Sequence, residues 1–162
     1  MSMISVSMPD GSVNEYVSGI TAGEIVIDIE GRKHDCVAAR VNGEMKDFSS
    51  TLTSDCSVEG ISGYTDEGIH ILRHSAAHLL AQAVTILYPD AKPTIGPAID
   101  RGFYYDFADL GEFGEGDLKA VQKKMHELAR QNIKVERVEC SDSELQELFV
   151  ANPYKIEIIN DK

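Results

Sequence analysis

The 162-residue chain is 43% apolar, enough for packed cores, and carries a formal charge of −12. Those figures exclude a disordered chain, and they exclude a strong free-standing nucleic-acid binder, whose affinity comes from cations on phosphates. Cys36, Cys56 and Cys140 lie far apart with no C-x-x-C, which excludes a disulfide framework and a cysteine zinc cluster. No apolar run reaches membrane-spanning length and no basic-then-apolar leader opens the chain. The expected compartment is therefore the cytoplasm, with no membrane partner.

Met3 to Met8 alternates and predicts a strand, and Pro9-Asp10-Gly11 predicts a turn before a return strand, Val13 to Val17. Thr21 and Glu24 have capping-box spacing for a short helix through Ile25 and Ile29, closed by Gly31. Cys36 to Val41 reads as a strand, Asn42-Gly43 as a two-residue hairpin turn and Glu44 to Phe48 as its partner. Ser57 to Ile61 is the last short strand of this part. The order predicts a small mixed sheet crossed by one helix. His34 sits among charges and is expected at the surface, whereas Cys36 and Cys56 are expected in the core. Gly60 to Gly63 marks the expected boundary, with domains 1–63 and 64–162.

Thr65 to Pro89 is the most informative stretch. Ile69, Leu72, Ala76, Leu79, Leu80, Ala83 and Leu87 recur at three and four, predicting a helix with one buried face, capped by Thr65 and ended by Pro89. His74 and His78 lie one turn apart. The spacing sets them nearly opposite the Leu72/Ala76/Leu79/Ala83 stripe, on a face expected to share the small residues Ala77, Ala81 and Thr85. Such a face lets a ligand or another backbone come close. Two surface histidines, a binding or catalytic pair and a metal site all remain open here.

Lys92 to Asp100, with two prolines and a glycine, predicts an extended, irregular segment. Gly102 to Phe107 predicts a strand with Phe103, Tyr105 and Phe107 on one face. Asp117 to Asn132 predicts a helix buried along Leu118, Val121, Met125 and Leu128, leaving Lys119, Lys123, Lys124 and His126 solvated. Lys134 to Val138 reads as a strand. Ser141 and Glu144 form a second capping box, with Cys140 and Leu145 placed for a staple, for a helix to about Val150. Tyr154 to Ile159 alternates and predicts a closing strand carrying Lys155.

Two histidines at i and i+4 are also found in the zinc helix H-E-x-x-H, but Ser75 stands at the position of its general-base glutamate. A metal needs further ligands that no motif supplies. Without metal, the pair can order a water or move protons near pH 7, and Lys155 can face an oxyanion or phosphate.

Ile71 to Leu80, containing Arg73-His74-Ser75-Ala76-Ala77-His78, then Ile95 to Asp106 and Met125 to Ala129, resemble the N-terminal region of bacterial-type threonyl-tRNA synthetases. Met8 to Ser12 and Ala39 to Glu44 resemble the TGS domain of that family. The resemblance implies an α+β chain: a small β-grasp TGS domain, followed by an α/β editing domain with a long central helix against a mainly antiparallel sheet.

In that family the second domain removes serine wrongly joined to threonine tRNA. One missing methyl group gives roughly 1–3 kcal/mol of discrimination, too little for accurate translation, so a second site must hydrolyse the wrong ester. The resemblance places His74 and His78 in that pocket, holding the terminal adenosine and ordering water, with Tyr105 and Lys155 as further pocket residues. The tRNA 3′ end is the implied partner, and the parent enzyme is expected to be a homodimer.

The family's later C-x-x-x-H block, its aminoacylation core with ATP, magnesium and zinc, and its anticodon-binding domain have no counterpart in these residues. The expectation is an incomplete editing domain with no cofactor or metal of its own. It should bind RNA weakly, neither charge nor efficiently edit tRNA alone, and expose a sheet edge that favours dimerisation or C-terminal disorder. The competing readings are a zinc-dependent hydrolase of the alanyl-tRNA editing type and a non-catalytic TGS docking module.

Overall fold

The computed structural model describes residues 2–135 and 138–161. The chain forms two compact units, one ending at Leu72 and the other beginning at Arg73.

The first unit contains β1 (Met3–Ser7), β2 (Val13–Val17), β3 (Ile20–Thr21), α1 (Ala22–Glu30), β4 (Cys36–Val41), β5 (Glu44–Lys46), β6 (Thr51–Leu52) and β7 (Cys56–Ser62). Its main sheet runs β2-β1-β7-β4-β5, with β1 and β7 parallel at the centre and the other pairs antiparallel. A parallel central pair needs a crossover, and α1 lies within that connection. The capping box closes α1 as predicted: Glu24 N–H donates to Thr21 Oγ1 at 3.2 Å, and Thr21 N–H donates to Glu24 Oε2 at 2.9 Å. Alternation turns Ile4 and Val6 inward, where they meet Ile25 and Val26 of α1 and Val58 of β7 in a dry core. The short β3/β6 ladder was not legible as strand. His34 is half-buried rather than exposed, edge-on to Phe48 at 5.7 Å.

α2 (Asp66–Leu87) begins after Thr65, whose Oγ1 accepts from Gly68 N–H at 3.1 Å. Gly68 lies so close to the Ser62 carbonyl that no side chain fits there, and Glu67 pairs with Arg40. These contacts explain why the start of α2 clusters with the first unit.

The second unit holds the rest of α2, then β8 (Lys92–Pro93), β9 (Ala98–Ile99), β10 (Gly102–Phe103), β11 (Phe107–Ala108), α3 (Glu115–Arg130), α4 (Asp142–Leu148) and α5 (Pro153–Asn160). Its described strands make two antiparallel ladders, β9/β10 and β8/β11. Ala83, Val84 and Ala91 pack with Val121 and Leu128 of α3 as its core. The overall class is α+β, as expected.

Several local expectations are corrected. On α2, Ala77, Ala81 and Val84 are buried while Leu72 is 47% exposed. The predicted stripe is covered in part, with Ala83 fully buried and Leu79, Leu80 and Leu87 packed against the core, and the covered face extends round to Ala77 and Ala81. Leu118 of α3 is exposed as well. The predicted strand Gly102 to Phe107 is broken at Tyr104 to Asp106, its two ends pairing with different partners. Tyr154 to Ile159 is helical: Asn152 caps α5 and Pro153 occupies its first turn, a start signal that resembles a stop. Of the predicted strand Lys134 to Val138, Glu136 and Arg137 lie outside the described residues, and Lys134, Val135 and Val138 are irregular.

Candidate functional site

His74 and His78 project from one edge of the buried Ala77/Ala81 face of α2, and both are exposed. Their Nε2 atoms lie 3.1 Å apart, with ring centroids 4.6 Å apart and planes at 82°. One Nε2 must donate and the other present its lone pair, so the pair in this geometry carries at most one positive charge. Burial first, then the charges of His74 and Lys155, hold His78 below the ordinary imidazole value. His78 is therefore neutral at pH 7 and able to accept a proton.

Lys155 sits in the first turn of α5, near enough for its charge to act on His78. Its Nζ donates to the Tyr105 hydroxyl at 3.5 Å and lies 5.9 Å from the centre of that ring. Tyr105 packs beside Phe107, centroids 5.0 Å apart. Its ring lies over Gly96, where any Cβ would collide with it, so glycine at this position admits the tyrosine. The four residues singled out from sequence, His74, His78, Tyr105 and Lys155, thus come together in the second unit, although Lys155 arrives on a helix rather than a strand.

Sequence reasoning missed the residues that hold this arrangement. Arg73 donates to the carbonyls of Ile99 and Asp100 at 3.1 and 2.7 Å, tying the β9 turn to α2. Asn152 caps α5 and also donates from Nδ2 to the Pro93 carbonyl at 2.9 Å. The Asn-Pro pair was the available signal for that cap. Elsewhere, Lys123, His126 and Arg130 line a solvated stretch of α3. Among the described residues no group of three His, Cys, Asp or Glu is placed to hold a metal ion, and no helix is long and apolar enough to cross a membrane.

Residues 4–61 match the TGS domain family. Along nearly its whole length the chain is 45% identical to a threonine–tRNA ligase of Pelobacter propionicus, over 164 residues covering 99% of this chain and 26% of the relative. The chain is a relative of the threonine–tRNA ligases. The enzymes of that name from Alkalilimnicola ehrlichii and Staphylococcus carnosus are 41% and 40% identical, covering 98% and 99% of this chain. The chain spans about a quarter of the length of these threonine–tRNA ligases. The TGS match falls on the β2-β1-β7-β4-β5 sheet with α1, and the likeness to the ligases continues through the histidine-bearing unit.

Proposed function

We propose that this region serves a threonine–tRNA ligase and that its second unit carries the proofreading pocket, which hydrolyses the ester of serine mistakenly joined to threonine tRNA. The convergence of His74, His78, Tyr105 and Lys155 supports this reading, because Tyr105 and Lys155 are 50 residues apart in the chain and still meet. We take 1–63 as the TGS domain and 64–162 as part of the editing domain, acting in the cytoplasm on the 3′ end of the tRNA. ATP, magnesium and zinc belong to the aminoacylation core of the longer ligases, which we take to be homodimers. This region alone binds RNA weakly.

In this reading a water binds at the exposed edge of the imidazole pair, beside His78. Neutral His78 accepts its proton as the oxygen attacks the seryl carbonyl carbon. The tetrahedral oxyanion forms opposite the Lys155 ammonium. The bond from that carbon to the ribose oxygen then breaks, the proton returns to the ribose, and free serine leaves.

The test uses a full-length ligase containing this region. The double variant His74→Ala/His78→Ala is expected to lose seryl-tRNA deacylation by about 100-fold or more while still charging threonine. Unchanged deacylation overturns the reading and favours a docking role. One zinc ion per purified chain would instead favour the metal-dependent hydrolase.

A further inference from the structure

Tyr105 and Lys155, whose side chains meet, come from different elements, and each needs its own anchor. Lys155 lies in the first turn of α5, three residues after the cap Asn152, and its backbone N–H donates to Asn152 Oδ1 at 3.3 Å. Tyr105 precedes Asp106, whose backbone is held to the chain that continues β8: Thr94 N–H donates to the Asp106 carbonyl, and Asp106 N–H donates to the Ile95 carbonyl, each at 2.9 Å. Pro93 of β8 immediately precedes Thr94. The Asn152 Nδ2 donates to the Pro93 carbonyl at 2.9 Å, across 59 residues of sequence, and Asn152 is half-buried.

We propose that Asn152 is a positioning residue whose amide, capping α5 with its oxygen and gripping β8 with its nitrogen, sets the Lys155 ammonium against the Tyr105 hydroxyl and His78. The inference rests on the proofreading reading only for its consequence in catalysis; the geometric part stands on this chain alone. The chemistry asks for asparagine. Aspartate caps a helix as well but has no N–H for the carbonyl, and serine caps but is too short to reach it. A carbonyl left without its amide donor in a half-buried place loses a neutral hydrogen bond, so α5 is freed to shift along β8.

The readout is the titration of His78, followed by NMR in the purified chain, because the Lys155 charge is one of the causes holding His78 low. Lys155→Met sets the scale: the His78 midpoint rises. Asn152→Ser keeps a cap oxygen and adds no charge, so α5 stays helical by circular dichroism. It is expected to raise the midpoint in the same direction, by at least half as much as Lys155→Met. Asn152→Ala is expected to raise it further, having lost cap and grip together. A midpoint in Asn152→Ser unchanged from wild type, with α5 intact, overturns the proposal, and so does a Lys155→Met variant that leaves His78 where it was. In the full-length ligase, Asn152→Ser is expected to lower the maximal rate of seryl-tRNA deacylation about tenfold with charging kept. If the histidine double variant deacylates normally, the proofreading reading fails, and the titrations still decide the role of Asn152.

Discussion

The two units are built with unequal redundancy. The first holds its shape with a five-stranded sheet and a core in which Val6, Ala22, Ile25, Val26 and Ala39 are fully buried. The second has two-residue ladders and a smaller cluster around Val84, and α4 and α5 bury none of their residues completely. Yet it is the second unit that holds the His74/His78 pair and the Tyr105–Lys155 contact. Its elements are tied by a few side-chain hydrogen bonds, such as those of Arg73 and Asn152, more than by an apolar mass. An arrangement built that way is easier to disturb without unfolding the whole.

The largest expected effect tests whether the units are separable. Ile25→Ala removes a fully buried side chain from α1 and is expected to destabilise the first unit by about 2–5 kcal/mol. Denaturant unfolding followed by NMR should show the resonances of Val6 and Val58 lost early while His78 keeps its wild-type titration. Concerted loss of both sets would break the comparison.

The next effect falls on the sparse unit. Gly96→Ala places a methyl group against the Tyr105 ring and is expected to cost about 1–3 kcal/mol, with the ring driven off Lys155. Loss of the cross-peaks between Tyr105 and Lys155, with the first unit unchanged, is the expected observation. Retained cross-peaks would mean that the backbone at Gly96 yields instead.

A matched pair of cap deletions sharpens the contrast. Thr21 and Ser141 form the same box with Glu24 and Glu144, and replacing either with alanine is expected to remove about 1 kcal/mol. In α1 the loss is spread over a helix fixed by its core. In α4, which has no buried residue, it should appear as local fraying. Hydrogen exchange should therefore accelerate across α4 in Ser141→Ala, but only at the first turn of α1 in Thr21→Ala. Equal fraying would show that α4 is better anchored than its burial suggests.

These boxes also mark what was legible in the sequence. The capping boxes at Thr21 and Ser141, the Asn42-Gly43 turn and the alternation of β1 are local, so they could be read directly. The second unit was read less well because its errors concern tertiary choices. On α2 the leucine stripe was read as the whole buried face, yet the covered face also takes in Ala77 and Ala81 while Leu72 is exposed. Asn152-Pro153 is consistent with a helix stop or a helix start, and the alternating Tyr154, Ile156 and Ile158 concealed the spacing of Lys155, Ile156, Ile158 and Ile159 that α5 half-buries. Periodicity left the histidine pair open among three roles, and family motifs singled out Tyr105 and Lys155. Their meeting depends on Asn152 and Gly96, whose roles only the packing reveals.

The smallest expected effect is on acid sensitivity, and it separates the units by pH window. The His78 value in the folded chain lies below its ordinary 6.5, chiefly through burial. Above pH 6.5 the ring is neutral folded or unfolded and has no influence on the balance. As pH falls through 6.5 the unfolded chain takes up a proton that the folded one refuses, so the second unit loses stability until the depressed value is passed. In the first unit, the Ser49 hydroxyl leads the contacts that hold Asp47 below its ordinary 3.8, so the stability it confers is lost only in stronger acid. Asp117, Glu127 and Glu144 in the second unit are lowered too and respond in that same acidic range. Between pH 7 and pH 5, therefore, thermal unfolding resolved by unit should show the second declining. His74→Ala removes the second cause of the shift while leaving burial, so it should lessen that decline without abolishing it. A decline of the same size in both units would mean that the lowered value of His78 is not what makes the second unit acid-sensitive.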